Sequence, residues 1–183
     1  MDNKIVLAFV GMPGAGKSEA TAYLKEKGIP FVRFGQFTDD EVKKRNLPLN
    51  PINERTIREE FRRELGMGAY GIMAKPKIQE LLTKSRIVVL DGLYSWEEYI
   101  LLQKEFPVKL VHIYAEPEKR YERLAVRPIR PLTKQEAHNR DIVELEKLNK
   151  GGPIAIADNC IQNEGDLAQL HEKIDSLLIK LTQ

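Results

Sequence analysis

Cysteine is almost missing from this 183-residue chain. Cys160 stands alone, so no intrachain disulfide can form and cysteine-rich zinc frameworks are excluded. Charge of one sign is missing too: 29 Lys and Arg oppose 27 Asp and Glu, a net of +2, well short of the basic surplus of a general nucleic-acid binder. Long apolar runs are absent. Ile5 to Val10 falls far short of the roughly 20 residues needed to span a membrane. The start, Met1-Asp2-Asn3-Lys4, lacks the basic stretch and cleavage site of a secretory signal, and a single thiol fits a reducing compartment. A cytoplasmic protein without nucleic-acid or membrane partners is the expectation. No repeat or low-complexity tract appears. With 42% hydrophobic and 31% charged residues, the chain has the composition of a folded domain, and its length suits one domain or one domain with a small mobile insert.

What is present alternates between strand and helix patterns. Lys4 to Val10 and Arg86 to Leu90 are apolar and rich in β-branched residues, as expected of strands buried on both faces of a parallel sheet. Phe31 to Phe34, Val108 to Tyr114 and Cys160 to Gln162 add three more strands, the first and last of them short. Helical patterns follow Ser18, occupy much of 39–85, open at the capping boxes Ser95-Trp-Glu-Glu98 and Thr133-Lys-Gln-Glu136, and close the chain over Asp166 to Leu181. Arg127-Pro-Ile-Arg-Pro131 cannot be regular helix, and Gly151-Gly-Pro153 is expected to break the helix before it. This alternation predicts an α/β layered fold with ligands at the carboxyl ends of its strands.

The chemistry begins at Gly11-Met12-Pro13-Gly14-Ala15-Gly16-Lys17-Ser18, which fits G-x-x-x-x-G-K-[ST] at every fixed position. Glycines let the backbone curl and turn its N–H groups toward phosphate oxygens. The following helix adds its positive end. Lys17 is placed to reach the β- and γ-phosphates of ATP, and the Ser18 hydroxyl to hold Mg²⁺. With Glu19 these residues are the candidate cofactor-binding set. Asp91 ends a buried strand, where it can hold the metal through water or polarise an attacking hydroxyl.

Basic residues cluster twice. Lys119, Arg120, Arg123, Arg127, Arg130, Lys134 and Arg140 lie in a stretch holding two acids, Glu122 and Glu136. Arg123, Arg127 and Arg140 are read as lid arginines that neutralise charge during phosphoryl transfer. Arg120 and Lys134 are read as solvated. The second cluster is Arg55, Arg58, Arg62 and Arg63, where Ile57, Phe61 and Leu65 form the expected core stripe and Arg58 and Arg62 are candidate acceptor ligands. Trp96 and His112 are read as core or structural residues, His138 and His171 as surface, and Cys160 as a small buried hydrophobe.

These motifs, together with Val88-Val-Leu-Asp91-Gly92, Glu122-Arg123-Leu124 and the Arg127 and Arg140 pair, resemble the P-loop nucleoside-monophosphate-kinase-like superfamily. The final third, through Arg123-Leu124, Ala157-Asp158 and Ile161-Gln-Asn163-Glu-Gly165, is similar to dephospho-CoA kinases. Nearly the whole chain resembles archaeal adenylate-kinase-related proteins whose substrate is not established, through Gly11-Met-Pro-Gly, Asp91-Gly, Ser95-Trp-Glu-Glu and Asn163-Glu-Gly165. The resemblance implies a three-layer P-loop NTPase fold with a five-stranded parallel sheet. Its core would be 1–34, 86–126 and 150–183, its helical acceptor-binding region about 35–82, and its lid about 127–140. It implies ATP and Mg²⁺ as cofactors and a small nucleotide-like acceptor, in a monomer or small homo-oligomer. Arg123 would lie along ATP, Arg127 and Arg140 would close on its phosphates, and Asn163 to Gly165 would pass beside the adenine. One position departs: dephospho-CoA kinases carry an aspartate just after the second strand, where this chain reads Arg33-Phe-Gly-Gln36. Gln36 is the candidate acceptor contact there, although it cannot act as a base, and Asp91 becomes the polar partner of the acceptor.

Other readings compete. A GTPase needs Asn-Lys-x-Asp, and Asn149-Lys-Gly-Gly152 lacks the acid. A polynucleotide kinase needs a larger basic surface. A nucleotide-binding regulatory or partner protein without turnover would keep the same loop and arginines.

Overall fold

Six consecutive buried side chains, Ile5–Val10, form β1 at the centre of the sheet. A computed structural model describes residues 4–128 and 130–182; the amino-terminal residues 1–3 read above for targeting, Ile129 of the proline-flanked break, and Gln183 lie outside the described residues. After β1 come α1 (Lys17–Glu26), β2 (Phe31–Arg33), α2 (Phe34–Lys44), α3 (Pro51–Leu65), α4 (Ala69–Leu82) and β3 (Ile87–Asp91). The second half holds α5 (Trp96–Gln103), β4 (Val108–Tyr114), α6 (Pro117–Val126), α7 (Lys134–Leu148), α8 (Gly151–Ala155), β5 (Asn159–Gln162) and α9 (Leu167–Thr182).

The strands run parallel in the order β2-β3-β1-β4-β5. Alternation along each strand splits the core in two. Val6, Ala8, Val10, Val88 and Leu90 pack with Ala74, Ile78 and Leu102 of α4 and α5. Ile5, Leu7, Phe9, Ile87 and Val89 pack on the other face with Leu24 of α1 and Leu170 and Ile174 of α9. The result is the expected three-layer α/β fold.

Local signals act as read at several ends. Both capping boxes close, Ser95 with Glu98 and Thr133 with Glu136. Asn50 accepts a hydrogen bond from the Asn53 amide at 2.9 Å, and Pro51 opens α3 behind it.

Five readings are corrected. Phe34 is not strand; α2 begins on it directly. Gly151-Gly-Pro153 does not merely break a helix. Asn149 turns left-handed (φ 51°) and the three residues open the short α8. Trp96 is 37% exposed, and its indole lies against α8, where a Cβ on Gly152 would sit 2.6 Å from the ring. Cys160 is exposed because β5 is an edge strand whose alternation turns Ile161 inward instead. In α3, Ile57 is buried but Leu65 reaches solvent.

Candidate functional site

The carboxyl ends of all five strands converge on the phosphate loop. Between β1 and α1 the backbone turns left-handed at Gly14 (φ 78°) and Gly16 (φ 103°). A Cβ at Gly14 would lie 2.6 Å from the Arg120 carbonyl, and one at Gly16 2.3 Å from Asn163 Nδ2, so neither position accepts a side chain. Three loop carbonyls are held by side chains. Lys17 Nζ donates to Met12 O (3.0 Å), Arg120 Nη1 to Pro13 O (2.9 Å) and Asn163 Nδ2 to Ala15 O (2.8 Å). Peptides pinned by their carbonyls on one side present N–H groups on the other, the geometry of an anion cradle.

That cradle opens on a cavity of about 490 Å³ lined by Gly16, Lys17, Ser18, Arg123, Arg127 and Asn163, with Glu19 at its edge. Arg123 Nη2 donates to the Asn163 carbonyl at 2.8 Å, while its buried Nη1 has no hydrogen-bond partner among the described residues. A desolvated guanidinium nitrogen without an acceptor suits an anionic ligand.

A second cavity, about 340 Å³, is lined in part by Arg140 and Glu144, whose charges reach Lys17. Arg33, Arg58, Arg62, Arg130 and Arg140 line it, above Phe34, Tyr70 and Tyr94. Internal carboxylates hold four of these arginines. Arg33 pairs with Asp39 (2.7 Å), Arg58 and Arg130 share Glu54 (3.3 and 2.6 Å), and Arg140 donates to Glu144 at 3.1 Å. Arg62 packs over the Tyr70 ring, and its buried Nε has no partner among the described residues.

Asp91 lines neither cavity, but its carboxyl feels the charge of Arg33 in one and of Lys17 in the other. β2 and β3 pair Arg33 with Asp91 across the register. Burial pushes the Asp91 carboxyl up, against the opposing pull of Arg33 and Lys17. Burial lowers Lys17 to about 7, and the nearby Lys150 and Arg140 charges act in the same direction. Lys150 itself is 1% exposed, ion-paired with Glu144 and set against the Tyr94 ring. Burial raises the Glu144 carboxyl, but Lys150 and Arg140 outweigh it and the net shift is downward.

Of the residues singled out from the sequence, Lys17, Ser18 and Arg123 line the phosphate-loop cavity and Arg58 and Arg62 the arginine-lined one, whereas Asp91 lines neither. Arg127 borders the phosphate-loop cavity and Arg140 the arginine-lined one, and the Arg140 charge reaches Arg127. Gln36 does not line the second cavity. It is exposed and donates to Asp40 at 2.7 Å, and Asp39, one helical turn into α2, faces the cavity instead. Arg120 is not solvated. It is 4% exposed and grips Asp141 with both terminal nitrogens. Arg33, Arg130, Glu54, Glu144 and Lys150 were missed. Of these, Arg33 carried a signal, since it ends a strand beside Asp91.

The sequence profile described as an AAA domain matches residues 7–147. The UPF0200 protein of Thermococcus sibiricus is 34% identical over 182 residues, covering 97% of this chain and 95% of that protein. The chain belongs to the UPF0200 family. Among solved structures, this UPF0200 family member is similar to TT1252 from Thermus thermophilus, with TM-score 0.66, 18% identity and coverage of 99% and 100%. It is also similar to shikimate kinase from Bacteroides thetaiotaomicron, with TM-score 0.59, 16% identity and coverage of 98% and 99%. The fold matches the P-loop NTPase fold. Among the described residues, no helix is long and apolar enough to cross a membrane.

Proposed function

We propose that this chain transfers the γ-phosphoryl of Mg·ATP to a hydroxyl of a small, nucleotide-like acceptor that already carries phosphate. The pairing of two cavities, one lined by Lys17 and the other by Arg140 and Glu144 whose charges reach it, carries the reading. One is a glycine cradle with an Arg123 nitrogen that has no partner among the described residues, and the other is walled by five arginines, of which Arg62 has a nitrogen likewise without a partner among them. Planar guanidinium forks match phosphate, so the second cavity suits a phosphorylated acceptor.

Mg²⁺ fits the residues present. No cluster of three or more His, Cys, Asp or Glu forms a protein-only metal cage among the described residues. The Ser18 hydroxyl and the Asp91 carboxylate would hold Mg²⁺ jointly with phosphate oxygens and water, its usual mode. Bound Mg·ATP supplies the phosphoryl group and a countercharge. Lys17 neutralises the β/γ-phosphate oxygens. Asp91 orients the acceptor hydroxyl. Arg140 balances charge from the acceptor side and Arg127 from the donor side. Catalysis is positioning plus charge neutralisation.

The test is ADP release from Mg·ATP with each ribo- and deoxynucleoside monophosphate, dephospho-CoA, and shikimate as an acceptor without phosphate. Strong stimulation by one phosphorylated acceptor supports the reading. Stimulation by shikimate alone refutes the phosphate requirement, and tight ATP binding with a flat panel favours a binding protein without turnover. With the stimulating acceptor, Arg127→Ala and Arg140→Ala are each expected to lower kcat by about 10²-fold. Arg140→Ala should also raise acceptor KM, whereas Arg127→Ala should leave it near wild type. Identical KM profiles would contradict their separation into two cavities.

The depressed Lys17 pKa gives a pH prediction. Above pH 7 the free protein holds Lys17 largely neutral. Phosphate favours the charged ammonium, so binding at pH 8 should take up a proton, and affinity for Mg·AMP-PNP should fall as pH rises from 7 to 9. Calorimetry in buffers of different ionisation enthalpy measures the uptake. Zero uptake at pH 8 would mean that Lys17 is already charged.

A further inference from the structure

We infer that Arg120 and Asp141 form a positioning bridge tying the phosphate loop to the helix that carries the acceptor-side charges, so that each cavity senses the other. The pair is withdrawn from water, Arg120 at 4% and Asp141 at 7% exposure. Arg120 Nη1 and Nη2 reach the two Asp141 oxygens at 3.0 and 2.6 Å. The same Nη1 donates to Pro13 O at 2.9 Å, and Nε to Ala115 O at 3.2 Å. The Tyr121 hydroxyl adds a third donor to Asp141 at 3.0 Å. The Arg120 backbone also bears on the loop, since its carbonyl occupies the space a Gly14 Cβ would need. The loop therefore rests on α6 at Gly14 and is pinned through Pro13.

The other end of the bridge is α7. Asp141 faces α6, while its neighbours Arg140 and Glu144 face the arginine-lined cavity. A helix turns as a body. A small rotation that brings Arg140 onto an acceptor anion must move Asp141, and Arg120 passes that movement to the Pro13 carbonyl. Stability does not account for the arrangement, because a buried ion pair is often no better than apolar side chains of equal volume. Tyr121, Ile142 and Leu145 already provide apolar surroundings. What an apolar pair lacks is a donor for Pro13 O.

The inference rests on reading Gly11–Ser18 as a nucleotide loop, and its test separates the two. Hydrogen exchange of residues 12–18 and affinity for Mg·AMP-PNP are measured for wild type, Asp141→Asn and Arg120→Lys, each with and without Arg140→Ala. Arg120→Lys keeps the charge but loses the fork. Both bridge variants are expected to bind Mg·AMP-PNP about tenfold more weakly, as for a lost charged hydrogen bond. Loop exchange should accelerate while β1 and β4 keep their protection. Arg140→Ala should change loop exchange several-fold in wild type and leave it unchanged in either bridge variant. Unaltered loop exchange in both bridge variants, or an Arg140→Ala effect of equal size in all three backgrounds, overturns the bridge. If Asp141→Asn fails to fold, Arg120→Lys decides alone. If wild type binds no Mg·AMP-PNP, the nucleotide reading falls, and loop exchange still judges the bridge.

Discussion

Lys17→Ala is expected to lower phosphoryl transfer by about 10³-fold or more while leaving the fold as stable as wild type or slightly more stable. The first half follows from position. Lys17 begins α1 at the rim of the glycine cradle and is the cation closest in sequence to the expected β/γ-phosphates. Removing one preorganised charge or donor from a transition state costs about 10²- to 10³-fold, and Lys17 also balances Asp91. The second half follows from linkage. The pKa of Lys17 falls from 10.5 in a free side chain to about 7, so the folded state disfavours its charge. A cation with a depressed folded pKa lowers stability at every pH below its unfolded value, and alanine removes that liability. Turnover and thermal unfolding of the same sample test both halves. Full activity would remove Lys17 from the site, and a large loss of Tm would make it a structural residue.

The second large effect concerns stability. Lys150→Met alone is expected to destabilise the chain by about 3–5 kcal/mol, because it strands Glu144 as a buried carboxylate. Arg140 still donates to Glu144, but from a half-exposed position, and replaces only part of the lost partner. Replacing both residues, as Lys150→Met with Glu144→Leu, should recover most of that loss. Urea unfolding of the two single variants and the double variant reads the coupling directly. Additive losses would show that the two charges do not depend on each other. The double variant should still lose activity, since Glu144 and Lys150 set the field around Lys17.

How legible the site was depends on the reach of each interaction. The phosphate loop is local: eight adjacent residues define it, although the obstacles its glycines meet, Arg120 and Asn163, come from distant parts of the chain. Asp91 was legible because a buried strand ending in an acid is a short pattern. The arginine-lined cavity was only half legible. Arg58 and Arg62 stand on one helix face and could be seen together, but Arg130 meets Glu54 across 76 residues of sequence. Nothing local to either residue records that meeting. Gln36 was chosen because it stands just after the second strand, where dephospho-CoA kinases carry an aspartate. Because α2 starts at once on Phe34, the helical turn carries Asp39 to the cavity and Gln36 to the surface. Arg120 was misjudged because a basic residue near a helix N-terminus looks solvated until α7 folds back over it. Lys150 was hidden by its neighbours, since Asn149 and Gly151 read as punctuation around it.

The sheet order bears on the order of events during synthesis. β1 is made before both of its partners, β3 and β4, with Ile5 opposite Ile87 and Val6 opposite Val108. At about 5–20 residues per second, the ribosome needs roughly 5–20 s to deliver the hundred residues that separate β1 from β4. Throughout that interval six apolar side chains and the phosphate loop behind them have no walls. The candidate phosphate site is therefore incomplete until β4 has been made, and the nascent protein is most exposed to aggregation before then.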